Sequence, residues 1–132
     1  MKSRTMLLAL AFAGIAPAAA LAEVDTSKPL LCAVTEAVEC GYESTCSYGP
    51  VEDLNIPAFI VVDAGAKALR EYHGDRMTAV PTVIERNGQL VLQGFENRAF
   101  SISISQETGR LSAAASQPDA GIVIFGVCTN QR

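Results

Sequence analysis

The chain has 132 residues and a formal net charge of −4, from 10 basic and 14 acidic side chains. That length suits one compact domain rather than several. A net acidic surface opposes nucleic acid and anionic lipid, which both select basic proteins, so neither is expected as a partner.

Residues 1–22 read as a secretory signal peptide. Lys2 and Arg4 supply the positive start, residues 6–15 are an apolar run, and Ala20-Leu21-Ala22 offers small-x-small cleavage just before Glu23. The apolar run is about half of the ~20 residues that a membrane span requires, which argues for cleavage over anchoring. Cys32 lies too far past Ala22 for a lipid attachment site. Cleavage removes 22 of the 132 residues and leaves 110; loss of Lys2 and Arg4 takes the charge from −4 to −6. The expected product is a monomer with no membrane insertion, in the periplasm or secreted. Its acidity suits an envelope component or a basic protein as partner.

Residues 23–29 read as a flexible N-terminal arm, and residues 30–132 as a single β domain. The candidate strands, in order, are 30–40, 46–53, 58–63, 78–86, 89–95, 100–105, 110–116 and 121–128. The clearest is 100–105. Phe100, Ile102 and Ile104 alternate there with Ser101, Ser103 and Ser105, the period-two pattern of a half-buried strand. Residues 64–76 read as turn and strand rather than helix. Asn87-Gly88 between two apolar runs predicts a two-residue hairpin, because both central residues of a type I′ turn need positive φ. Glu107-Thr108-Gly109, Pro118-Asp119-Ala120-Gly121 and Glu96-Asn97-Arg98 supply further tight connections. The fold class is therefore all-β: about eight antiparallel strands in a meander, forming a small barrel or a curled sandwich.

Four Cys, at 32, 40, 46 and 128, predict two disulfides in an exported chain of this size. None of the spacings is Cys-x-x-Cys. Cys40 and Cys46 bracket a five-residue loop containing Gly41, so they can face each other across a hairpin. That leaves Cys32 with Cys128, on the first and last strands, which are neighbours in a closed meander. Pairing Cys32 with Cys46 or Cys40 is the alternative. Two crosslinks offset a core light in aromatics, with no Trp anywhere.

No constellation for chemistry emerges. His73 is the only His, set in Glu71-Tyr72-His73-Gly74-Asp75, and reads as a solvated turn residue; no Ser sits in Gly-x-Ser-x-Gly. Glu36 and Glu39 fall on opposite faces of a strand. Neither an enzyme, a cofactor nor a metal site is expected. Tyr42, Glu43 and Tyr48 lie on or beside the first hairpin loop, and they form the candidate partner-binding loop, since exposed aromatics anchor partners.

The early Leu-Cys-Ala, the central Leu-Gln-Gly-Phe-Glu-Asn, Glu-Thr-Gly and the terminal Phe-Gly-Val-Cys-Thr resemble small exported proteobacterial β-proteins that remain uncharacterised. That likeness spans most of residues 30–129 and implies no activity. Size, export and strand number are similar to the periplasmic inhibitors of c-type lysozyme, in architecture only. Those inhibitors present a Ser-Gly loop element that has no counterpart here, so no site is carried over. The functional expectation is a non-enzymatic binding or inhibitory module of the cell envelope. The alternative is a carrier of a small apolar ligand inside the barrel, which calls for an open and apolar interior.

Overall fold

The alternation at 100–105 is kept in three dimensions: Ile102 and Ile104 are buried, while the intervening serines are on the opposite face. The computed structural model describes residues 23–131. Its strands are β1 Leu30–Gly41, β2 Ser47–Gly49, β3 Phe59–Asp63, β4 Ala68–Glu71, β5 Met77–Ala79, β6 Thr82–Arg86, β7 Gln89–Glu96, β8 Arg98–Ser105, β9 Arg110–Gln117 and β10 Ala120–Asn130. All pair antiparallel in one sheet of order β5-β4-β3-β1-β10-β9-β8-β7-β6, with β2 also paired to β1. The fold is all-β, and the sheet curls into a half-barrel.

Two expected strands are corrected. Residues 78–86 are not one strand but two that share one run of chain, β5 and β6. Val80 still donates its N–H to the Lys67 carbonyl (2.8 Å) as β5 leaves β4. Pro81 has no N–H to give, and from Thr82 onward the chain pairs with β7 instead, Thr82 opposite Gln93. The two edges of the sheet are thus successive halves of one stretch of chain. Residues 46–53 are likewise not one strand. Pairing to β1 stops at Gly49, and Pro50 leads into a 3-10 turn at Val51–Leu54 that ends on Asn55 in the left-handed region (φ 55°). The Asn87-Gly88 turn behaves as expected, with φ of 53° and 73°.

The first and last strands pair along their length, Cys32 directly opposite Cys128. Both disulfides are as expected, Cys32–Cys128 and Cys40–Cys46, with Cα atoms 3.9 and 4.1 Å apart. The alternative pairings are excluded. Two disulfides place the domain outside the reducing cytoplasm. Among the described residues no helix is long and apolar enough to cross a membrane.

The core occupies one end of the half-barrel. Leu30, Cys32, Val62, Val80, Leu90, Leu92, Ile102, Ile104, Leu111 and Cys128 pack there with almost no exposure. Each fully buried Leu or Ile contributes about 1.5–3 kcal/mol of transfer free energy.

The segment 23–29, expected as a frayed arm, instead caps that end. Val24 is buried and donates its N–H to the Gln106 carbonyl (2.8 Å). Asp25 exchanges two hydrogen bonds with the Asn130 side chain, at 2.8 and 2.9 Å. The Thr26 hydroxyl bonds Glu85, and the Gln106 amide donates to both (2.8 Å each). The reason is that Val24 and Thr26 cover apolar side chains that the strand ends leave open. The Ser27 hydroxyl, then Lys28, holds the Asp25 carboxyl below the usual aspartate range. A depressed carboxylate stabilises the fold above its unfolded value, and the effect is lost as pH falls through the folded value. In amide exchange followed by NMR, the Val24 N–H is expected to be protected roughly tenfold or more relative to the exposed loop N–H of Glu43; equal protection would mean the arm is not docked.

Candidate functional site: the open end of the half-barrel

With one end capped, the other is left open. It is bordered by the connection 54–57, the turn between β4 and β5, and the corner between β7 and β8. Strand alternation turns Ile60 of β3, Leu69 of β4, Phe100 of β8, Ala115 of β9 and Ile124 of β10 toward the interior, where they wall a cup of ≈ 320 Å³.

The cup exists because inward positions near this end carry little bulk. Toward the closed end β7 points Leu90 and Leu92 inward, but its next inward residue is Gly94. On β9 the inward series is Leu111, Ala113, Ala115. Phe100 lies opposite both Gly94 and Ala115. Its ring rests on the glycine, where an added Cβ would sit 2.6 Å from Cζ and 3.1 Å from the Ala79 carbonyl. The ring fills the place of the missing side chain, and the space over Ala115 stays empty.

The rim is charged, and most of its charges are engaged. The Arg76 guanidinium donates to the backbone carbonyl and side-chain oxygen of Asn55, at 3.0 and 3.1 Å. Glu96 accepts from the Thr78 hydroxyl. The Glu71 side chain folds over Gly74, so close that a Cβ there would meet its Cγ at 2.8 Å. Arg70 pairs with Asp63 (3.3 Å). Among the arginines, Arg98 is the exception. It lies directly opposite Glu96 across the corner at Asn97 (φ 58°), yet makes no ion pair and no side-chain hydrogen bond among the described residues.

The sequence-based candidates stand at the same end but outside the cup. The Tyr42 N–H donates to the Asp119 carbonyl (2.8 Å), tying the Cys40–Cys46 hairpin to the β9–β10 turn. Tyr42 and Tyr48 are 76% and 82% exposed, and Glu43 is held in the left-handed region (φ 55°). None of the three lines the cup. Sequence reasoning missed Arg98 and the joint wall of Ile60, Leu69, Phe100 and Ile124. The alternation did mark Phe100 as inward. His73 is exposed on the β4–β5 turn, its ring 4.0 Å from that of Tyr72. Among the described residues no three His, Cys, Asp or Glu side chains are grouped to hold a metal ion. On the outer face, Val123, Phe125 and Val127 of β10 form an exposed apolar ridge that sequence reading did not single out.

Compared with known protein families, curated proteins and solved structures, the chain matches none.

Proposed function

We propose that this is an exported, non-enzymatic binding or inhibitory module, periplasmic or secreted, and that it binds through the open end of the half-barrel. The observation that carries the reading is the apolar cup at the one end that the N-terminal arm leaves uncovered. An apolar concavity bordered by a few polar groups is where proteins take ligands. The projecting Cys40–Cys46 hairpin supplies a second surface at the same end, suited to the broad contact of a protein partner.

The size of the cup favours a group presented by a larger partner. Pockets that enclose a free ligand run from about 300 to 1,000 Å³ and cover most of its surface. A cup of ≈ 320 Å³ lies at the bottom of that range and is open to solvent. It holds one side chain or chain end more readily than a whole carried molecule. The second reading, a carrier of a small apolar ligand, is favoured by the aliphatic and aromatic walls of the same cup.

Affinity capture from an envelope extract of the exporting cells tests this with two variants. Ala115→Phe fills the cup, and Tyr42→Ala with Tyr48→Ala strips the hairpin. Loss of the captured partner with Ala115→Phe, at unchanged thermal stability, is the expected result. Retention by that variant and loss by the tyrosine variant would move the binding surface to the hairpin. A co-purifying small molecule, seen by native mass spectrometry and absent from Ala115→Phe, would establish the carrier reading.

A further inference from the structure

We infer that the group received by the cup is an amphipathic anion: an apolar body seated on Ile60, Leu69, Phe100 and Ile124, with a carboxylate or similar anionic head on Arg98. The inference rests on the cup being the binding end. Its own support is the state of the rim charges. Both acidic side chains at the rim are turned to neighbours, Glu96 to Thr78 and Glu71 over Gly74. Arg76 is satisfied by Asn55. Of the three arginines that line the cup, Arg98 alone has neither an ion pair nor a side-chain hydrogen bond among the described residues.

An arginine in that position prefers planar carboxylates and phosphates, which it can grip through two N–H groups at once. Half-burial beside apolar walls strengthens the attraction relative to open water. The net negative charge of the domain opposes an anion at long range, so the attraction to Arg98 is a short-range one, made at the mouth. Two sources share this chemistry: a free acyl carboxylate, and a protein chain ending in an apolar residue, which carries side chain and carboxylate together.

The test is an amide chemical-shift titration of the exported protein with two matched pairs. The first is octanoate against 1-octanol. The second is a tetrapeptide ending in leucine, as free acid and as amide. Octanoate and the peptide acid are expected to shift amides around Phe100, Ala115 and Ile124, and to bind about tenfold more tightly than their uncharged partners, the size of one charge-assisted hydrogen bond. Arg98→Gln should abolish that ratio while leaving octanol binding unchanged, and Arg98→Lys should preserve part of it. Tighter binding of the peptide acid identifies a partner's chain end as the source; tighter binding of octanoate identifies a free acyl anion. Equal affinities within each pair would overturn the anionic class and leave the cup as binding end. If none of the four moves the cup amides at millimolar concentration, the anion proposal fails, and the capture experiment with Ala115→Phe judges the cup separately.

Discussion

Replacing Cys32 and Cys128 together by Ala is expected to lower the stability of the domain by about 4–5 kcal/mol, from loop closure alone. The two residues are 96 apart in sequence, and in the chain-entropy account a loop near 100 residues contributes ~4.7 kcal/mol. Domains of this size have only about 5–15 kcal/mol in total. The bridge also lies inside the core, with Cys32 fully buried. Its removal therefore costs packing as well as crosslinking, and a fall of about 15 °C or more in Tm is expected. The second bridge is the internal comparison. Cys40 and Cys46 are only 6 apart, for which the same relation gives about 2.4 kcal/mol. That hairpin also projects from the sheet, so less of the fold depends on it. Calorimetry of the two double variants should give effects differing by about twofold or more. Equal losses would show that closure of the first strand on the last is not what the long bridge secures.

Gly109→Ala should cost about 3 kcal/mol or more, a large effect for a single methyl group. Gly109 ends the turn between β8 and β9 at a φ of +68°. Its N–H donates to the Ser105 carbonyl (2.8 Å), and its carbonyl accepts from the Cys128 N–H (2.7 Å). A Cβ would therefore impose a left-handed side chain, at about 1–2 kcal/mol. It would also run into the Cys128 carbonyl oxygen, on the strand that carries the long disulfide. Backbone cannot swing aside as a flexible side chain does, and overpacking of this kind adds about 1–3 kcal/mol. Gly126→Ala should behave similarly for one of these reasons, because its Cβ would meet the Ala33 carbonyl beside the irregularity between Val34 and Glu36. Two other glycines separate the causes. Gly88 has a φ of +73° but open space around it, so its alanine variant should lose only about 1 kcal/mol. Gly49 has neither constraint and should change by less than about 0.5 kcal/mol. Urea unfolding of the four variants checks the order; a Gly109→Ala effect no larger than that of Gly88→Ala would remove the steric part of the account.

The strands and turns of the C-terminal half were legible because their signals are local. Phe100 to Ser105 alternates by itself, and Asn87-Gly88 demands its turn whatever surrounds it. The disulfides were legible through one added assumption, that a meander brings its first and last strands together, and Cys32 opposite Cys128 bears that out. The corrections share the opposite property. Whether residues 78–86 keep one partner or change it at Pro81 depends on where β4 and β7 lie, which no window of sequence contains. Whether Val24 is loose or buried depends on the strand ends gathered beneath it.

The candidate site divides in the same way. The residues around Cys40–Cys46 stand at the same end of the molecule as the cup, and they were legible because an exposed hairpin can be recognised from its own loop. The cup cannot, because its wall comes from two separate runs of chain, β3–β4 and β8–β10, that meet only when the sheet curls. The sequence by itself determined the fold class, the oxidised cysteines and the direction in which each clear strand turns its apolar face. Only the tertiary structure decided which end is capped, that Phe100 lies over Gly94 while Ala115 leaves room, and that Arg98 stands at that opening without a counter-charge. Those are properties of closure, which arises when distant strands meet and the side chains they bring either fill the shared space or leave it empty.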